Sequence, residues 1–299
     1  MSQQDQPATR DHEDRILPAT RAVSAIIIPF LVVAFVILFF MPDETGRYFA
    51  WPIGPRMNAM MLGATYLSGV FYFATVLFAR RWQQVKFGLI PVASFAALMG
   101  IATILHWQAF NFDLTAGWVW VILYATTPFI VLGLWLWNTR IGRPGTARPG
   151  DHVLPPVVRG AVGLVGLTGL VVSLLLFVAP GLMIEIWPWS LSALTARVIS
   201  AQFVVFSLFS LAAYLDPRWE SLRLVIRSEL PAPVFFLIAM AASWNDFDNA
   251  NPLTWVFAFN VVVVFVIGVP AMYVYMEGRA KRRAAIAAQT PDRIGPHRA

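Results

Sequence analysis

Uncharged or nearly uncharged stretches of about twenty residues recur along this 299-residue chain, each close to the helical length that crosses a hydrocarbon core of about 30 Å. Such a core offers no water to backbone N–H and C=O groups, so only helices and closed barrels can span it, and runs this long and continuous read as helices. Eight are expected, over 22–41, 57–78, 87–107, 118–137, 160–178, 198–215, 228–244 and 255–276. The seventh has the shortest purely apolar part, which begins only at Pro231, so it must borrow the preceding turn to reach the far side. Composition agrees: 58% hydrophobic and 13% charged residues, against about 45–50% and about 25% in soluble domains, leave too little polar material for a globular surface. The expected class is an all-α, polytopic membrane protein whose first partner is the lipid bilayer. The first apolar run is too long for a signal-peptide core and no small-residue cleavage site follows, so it is expected to stay as an anchor.

Basic residues set the expected orientation. With eight spans both termini share a face, and that face collects 19 of the 22 Lys and Arg residues with ten acids. The other face has only Arg47, Arg56 and Arg197 beside Asp43, Glu44, Asp113, Glu185, Asp246 and Asp248. Both termini are therefore expected to be cytoplasmic. The basic residues lie between apolar runs rather than on one continuous surface, which argues against nucleic acid as a partner. The cluster Arg279, Lys281, Arg282 and Arg283 reads as a topology signal before it reads as a lipid site.

Tryptophans return at matching intervals. Trp82, Trp107 and Trp118 are spaced by 25 and 11 residues, as are Trp219, Trp244 and Trp255. Arg81-Trp82 matches Arg218-Trp219, and Trp51-Pro52 matches Trp187-Pro188. The pattern implies two four-helix repeats, and an even number of spans per repeat makes them parallel, related by a pseudo-two-fold axis along the membrane normal. The expected layout is a disordered tail over 1–21, a first repeat over 22–137, a Gly/Pro/Arg-rich cytoplasmic linker over 138–159, a second repeat over 160–276 and a basic tail over 277–299. An interface between the repeats is expected, and Gly160, Gly163, Gly166 and Gly169 on the fifth span form a groove that lets a neighbouring backbone approach closely.

Chemistry-bearing motifs are few. No charge is expected deep in any span, which argues against a proton pump built on buried carboxylates. With no cysteine there is no disulfide, thiolate metal site or cysteine nucleophile. His106, at the outer end of the third span, is the one histidine within a span, so a bis-histidine haem is not expected. The loop from Trp244 to Pro252 offers oxygens for a hard cation but lacks the EF-hand spacing, and turn chemistry accounts for its Asn, Asp and Pro. No cofactor or metal is expected, and no catalytic residue stands out.

The segment from Pro42 to Tyr66, and in it Phe49, Ala50, Trp51, Ile53, Pro55, Leu62, Gly63, Ala64 and Tyr66, resembles a motif of uncharacterised bacterial multi-spanning membrane proteins. The resemblance implies a polytopic protein of the bacterial inner membrane and carries no activity. The expected function is transport or binding of a small or lipophilic ligand in an outward-facing pocket between repeats, walled by Trp51 and Trp187. Its expected polar floor is His106, Asn111 and Asp113 on one side and Asn245, Asp246 and Asp248 on the other. Arg47 and Glu185 are expected to face each other across the axis. The alternative is an accessory or sensory membrane protein that contacts a protein partner or lipid.

Overall fold

The computed structural model describes residues 14–141 and 152–289, with side chains described as far as 282. Eight helices are long and apolar enough to cross a membrane: α1 (Pro18–Phe40), α2 (Arg56–Phe78), α3 (Lys86–Leu105), α4 (Thr115–Ile141), α5 (Pro156–Val178), α6 (Ala193–Leu215), α7 (Trp219–Ala242) and α8 (Pro252–Arg282). Among the described residues there is no strand, only the isolated bridges Val153–Arg218 and Trp189–Phe247. The expected tail over 1–21 and the linker over 138–159 lie partly outside the described residues. At the other end, helix continues beyond Met276 as far as Gln289.

Two departures from the sequence reading have a common cause. α7 begins at Trp219, nine residues before the expected start at Ser228, and α6 begins at Ala193 rather than Val198. The first turns of α7 carry Glu220, Arg223 and Arg227, which depress the hydropathy, yet Trp219, Leu222, Val225 and Ile226 are buried on one side. That three-and-four spacing marks an amphipathic helix already packed against the bundle. The earlier starts bring Arg197 into the first turn and a half of α6 and move Glu229 from the edge of the expected seventh span to the middle of α7. The expectation that no charge lies deep in a span is thereby corrected.

α2 is the most buried span and α8 the least. α1 packs along α2 and α5 along α6, while α3 lies against both α4 and α6, and α7 lies against α2. The centre is thus an α2–α6 core clasped by α7 on one side and α3 on the other. Helix ends are tied by polar contacts. Arg21 of α1 donates to the carbonyls of Leu77 and Ala79 at the end of α2, both at 2.8 Å, and Arg159 of α5 donates to that of Tyr214 near the end of α6 at 2.7 Å. A cation is favourable at a helix C-terminus, where carbonyls lack intrahelical partners. Asn138 joins the ends of α1 and α4: its Oδ1 accepts the Leu17 N–H at 3.0 Å and its Nδ2 donates to Thr20 Oγ1 at 2.7 Å. These contacts gather at one end of the bundle, called here the basic end, with Arg80, Arg81 and Arg218 nearby in sequence. The loops after α1, α3, α5 and α7 form the opposite, acidic end.

The glycines of α5 do bring a backbone close, but the neighbour is α6 of the same half. A side chain on Gly166 would meet the Leu211 backbone nitrogen and the Ser210 Cβ at 3.0 Å, whereas one on Gly160 would meet nothing within 4 Å. Gly166→Leu is therefore expected to cost about 1–3 kcal/mol through forced separation of α5 from α6, and Gly160→Leu to be close to neutral. Thermal unfolding of the two purified variants in detergent checks this, and equal melting temperatures would count against the packing argument.

Candidate functional site

At the acidic end, most residues expected to floor an outer pocket are spent on caps and turns. Asn111 Oδ1 accepts the Asp113 N–H at 3.1 Å, and its own N–H donates to the Ala50 carbonyl at 2.8 Å. Asp246 Oδ2 accepts the Met57 N–H at 2.8 Å, so a residue after α7 caps the first turn of α2, where a negative charge is favoured by the helix dipole. Asp248 accepts from the Ala250 N–H at 2.9 Å, closing a local turn. Asp113 and Asn245 are exposed. Arg47 lies over the Tyr48 ring, 5.0 Å from its centroid. Arg47 and Glu185 are both exposed, and among the described residues no ion pair joins them.

The tryptophans divide differently from the dipeptide pattern. Trp51 is core, 3% exposed, with ring centroids 5.1 Å from Phe110 and 4.7 Å from Trp120. The residue with the matching setting is Trp189, 4.9 Å from Phe247 and 5.0 Å from Phe257, and not Trp187. The shared Trp-Pro dipeptide misplaced this register by two residues. Trp187 is partly buried, and its buried indole N–H has no acceptor among the described residues.

His106 is held by a partner that the sequence did not suggest. It ends α3, and Arg197 Nη1 of α6 lies 2.7 Å from its Nε2. A guanidinium only donates, so Nε2 is the acceptor and the imidazole is neutral with its proton on Nδ1. Burial, then the Arg197 charge, hold the His106 pKa below its ordinary value. Because the folded protein binds this proton less readily than the unfolded chain, stability is fully present above the ordinary imidazole pKa of about 6.5 and is lost as pH falls through that value and the lower folded one. Melting temperature is expected to drop over this acidic window in the wild type. His106→Gln, which keeps an acceptor without titrating, should flatten that part of the profile, and an unchanged slope in the variant would assign it to another group.

The chemically richest place is in the middle of the bundle. A cavity of about 90 Å³ opens where α2, α3, α6 and α7 meet, lined by residues that include Ser68, Tyr72, Val92, Val205, Phe209 and Glu229. Glu229 is the eleventh of the 24 residues of α7. It closes the Trp219–Glu229 segment, and a second segment, Ala232–Ala242, follows. Pro231 makes the break, since it has no N–H to donate and its ring crowds the carbonyl four residues back. The chain crosses the break by tighter bonds, Leu230 N–H to the Arg227 carbonyl and Val234 N–H to the Pro231 carbonyl. Glu229 Oε2 accepts from the Ser68 hydroxyl of α2. Its other oxygen has no hydrogen bond, and no ion pair reaches the carboxylate among the described residues.

One turn along α2, Thr65 donates to Gln202 Oε1 of α6 at 2.8 Å, and Gln202 Nε2 is buried with no acceptor among the described residues. Beside the cavity a groove of about 390 Å³ runs between α2 and α7 from Phe78 to Pro231, with Arg227 and Ser228 on its wall. A carboxylate in hydrocarbon surroundings costs at least about 2.5 kcal/mol and marks a proton, ion or ligand path by default.

A sequence signal for Glu229 existed. It falls on the stripe of Leu222, Val225 and Ile226, at i+7 from Leu222, which puts it on the inward face once the helix is read from Trp219. No family model matches the chain, and no curated protein or solved structure matches it.

Proposed function

We propose that the chain is a bacterial inner-membrane protein of two parallel four-helix repeats, with both termini cytoplasmic, that binds or transports a small or lipophilic ligand in the cavity between the repeats. The repeat reading is supported by contacts that recur in both halves. Asn111 N–H to the Ala50 carbonyl has its counterpart in Asp248 N–H to the Pro188 carbonyl, each 2.8 Å. Trp118 Nε1 to the Phe112 carbonyl corresponds to Trp255 Nε1 to that of Asn249, and Arg21 on Leu77 to Arg159 on Tyr214. Thr65 and Gln202, bonded to each other, are themselves equivalent positions 137 residues apart. A side chain that touches its own counterpart lies on the symmetry axis.

The observation that carries the functional reading is the cavity beside that axis. At the same separation of 137, Ser68 corresponds to Val205, Tyr72 to Phe209 and Val92 to Glu229, and all six line it. Repeat-built transporters place substrate at the interface of their repeats, near the midplane and beside discontinuous helices. The broken α7 and its carboxylate fit that logic, so the ligand site belongs in mid-bundle rather than at the outer surface.

Two measurements test the reading. Reporters fused after Ala299 and inserted at Thr115 are expected on opposite sides, the first cytoplasmic; an external C-terminus would overturn the orientation. Because the chain has no cysteine, Ser68→Cys supplies its one thiol. In intact vesicles a small charged thiol reagent is expected to label Ser68→Cys from at least one side about tenfold faster than Ser173→Cys, a residue 3% exposed and bonded to Ser200 in the α5–α6 contact. If Ser68→Cys is no more reactive than that control from either side, the accessory reading replaces this one.

A further inference from the structure

We infer that the cavity is an exchange site for a small primary alkylammonium ion and a proton, which take turns neutralising Glu229. The inference rests on the proposed function and adds the ligand's chemistry.

It begins with the asymmetry of the walls. Where one side of the cavity has Ser68 and Glu229, the equivalent positions on the other side are Val205 and Val92. Glu229 is therefore the one carboxylate among the residues that line the cavity. Among the described residues that carboxylate has Ser68 on Oε2, no hydrogen bond on Oε1 and no cationic side chain paired with it. A lone carboxylate in an apolar chamber is neutralised either by taking up a proton or by binding a cation.

The rest of the wall selects the cation. Tyr66 and Tyr72 also line the cavity, but their hydroxyls are engaged elsewhere, with Tyr124 Oη at 2.7 Å and the Val85 carbonyl at 2.8 Å. Their aromatic rings, with those of Phe95 and Phe209, line the chamber. A bare metal ion asks for about six oxygens, and the carboxylate and two hydroxyls of Ser68 and Thr65 do not supply them. Aromatic walls and one carboxylate suit an organic ammonium group instead, by cation–π attraction and a charge-assisted hydrogen bond. The volume of about 90 Å³ limits it to a few non-hydrogen atoms, on the scale of methylammonium.

Proton and ammonium use the same oxygens, so each excludes the other. When the protonated acid receives the alkylammonium ion, the carboxylate pairs with the cation and the acid proton leaves to solvent, so charge in the cavity stays balanced. Binding one ion releases one proton.

The test uses the purified full chain in detergent with methylammonium as probe and methanol as its neutral counterpart. A hydrophobic carbodiimide, which reacts with protonated carboxyls in apolar surroundings, is expected to label Glu229, and methylammonium to slow that labelling about tenfold while methanol does not. In weakly buffered solution methylammonium should release protons from the wild type and none from Glu229→Gln. Glu229→Asp, which keeps the charge, should retain release at weaker affinity. Equal labelling with and without methylammonium, or binding without proton release, overturns the ligand assignment while a reactive Ser68→Cys thiol leaves the cavity reading standing. Failure of both the labelling and the thiol reaction would overturn the two together.

Discussion

Inside hydrocarbon a polar side chain is tolerated where another polar group meets it, and the centre of this bundle is organised by few such meetings. The hydrogen bond from Thr65 to Gln202 ties α2 to α6, the two helices about which the others are arranged, and Gln202 is only 1% exposed. Removing one partner of a buried pair leaves the other unsatisfied, a penalty of about 1–3 kcal/mol, so this contact fixes which faces of α2 and α6 meet. Once they are fixed, α7 is laid against α2 and α3 against α6. Those two contacts bring Glu229 to Ser68 and Arg197 to His106. The same central pair leaves the buried Gln202 amide nitrogen without an acceptor among the described residues, so polar capacity at the core exceeds what the helices themselves use.

The fold was legible because a continuous apolar run has few alternatives in water or in lipid. Spans such as Pro18–Phe40 and Pro156–Val178 are apolar on nearly all sides and needed only their length to be recognised. The site was less legible because it sits where that signal fails. Helix α7 mixes Glu220, Arg223, Arg227 and Glu229 into its first half, so average hydropathy reads the segment as loop while its periodicity reads it as helix. Averaging discards the phase information that places Glu229 on the buried stripe. The outer residues were misleading for a related reason. Asp246 and Asp248 are conspicuous in sequence, but a helix N-terminus and a tight turn also require such side chains, and those are the uses the structure makes of them.

The proposed duplication is most informative where the copies differ. At the acidic end the His106–Arg197 contact has as its counterpart the Ser243 hydroxyl 3.4 Å from the Met60 sulfur. In mid-bundle the Ser68–Glu229 contact is matched by two valines at the cavity wall. Each polar contact joins one half to the other, and in each case the equivalent contact is weak or apolar. A protein selected only to hold eight helices together would gain nothing by keeping one demanding contact in each pair, since a buried charged group raises the cost of folding unless it is fully compensated. The asymmetry falls on contacts between the halves, while the aromatic clusters around Trp51 and Trp189 and the indole bonds of Trp118 and Trp255 recur in both. Under the proposed duplication, titratable contacts between the halves give a proton or a cation a different effect on the two sides of the axis, and that differential effect is what any ligand-driven change of conformation requires.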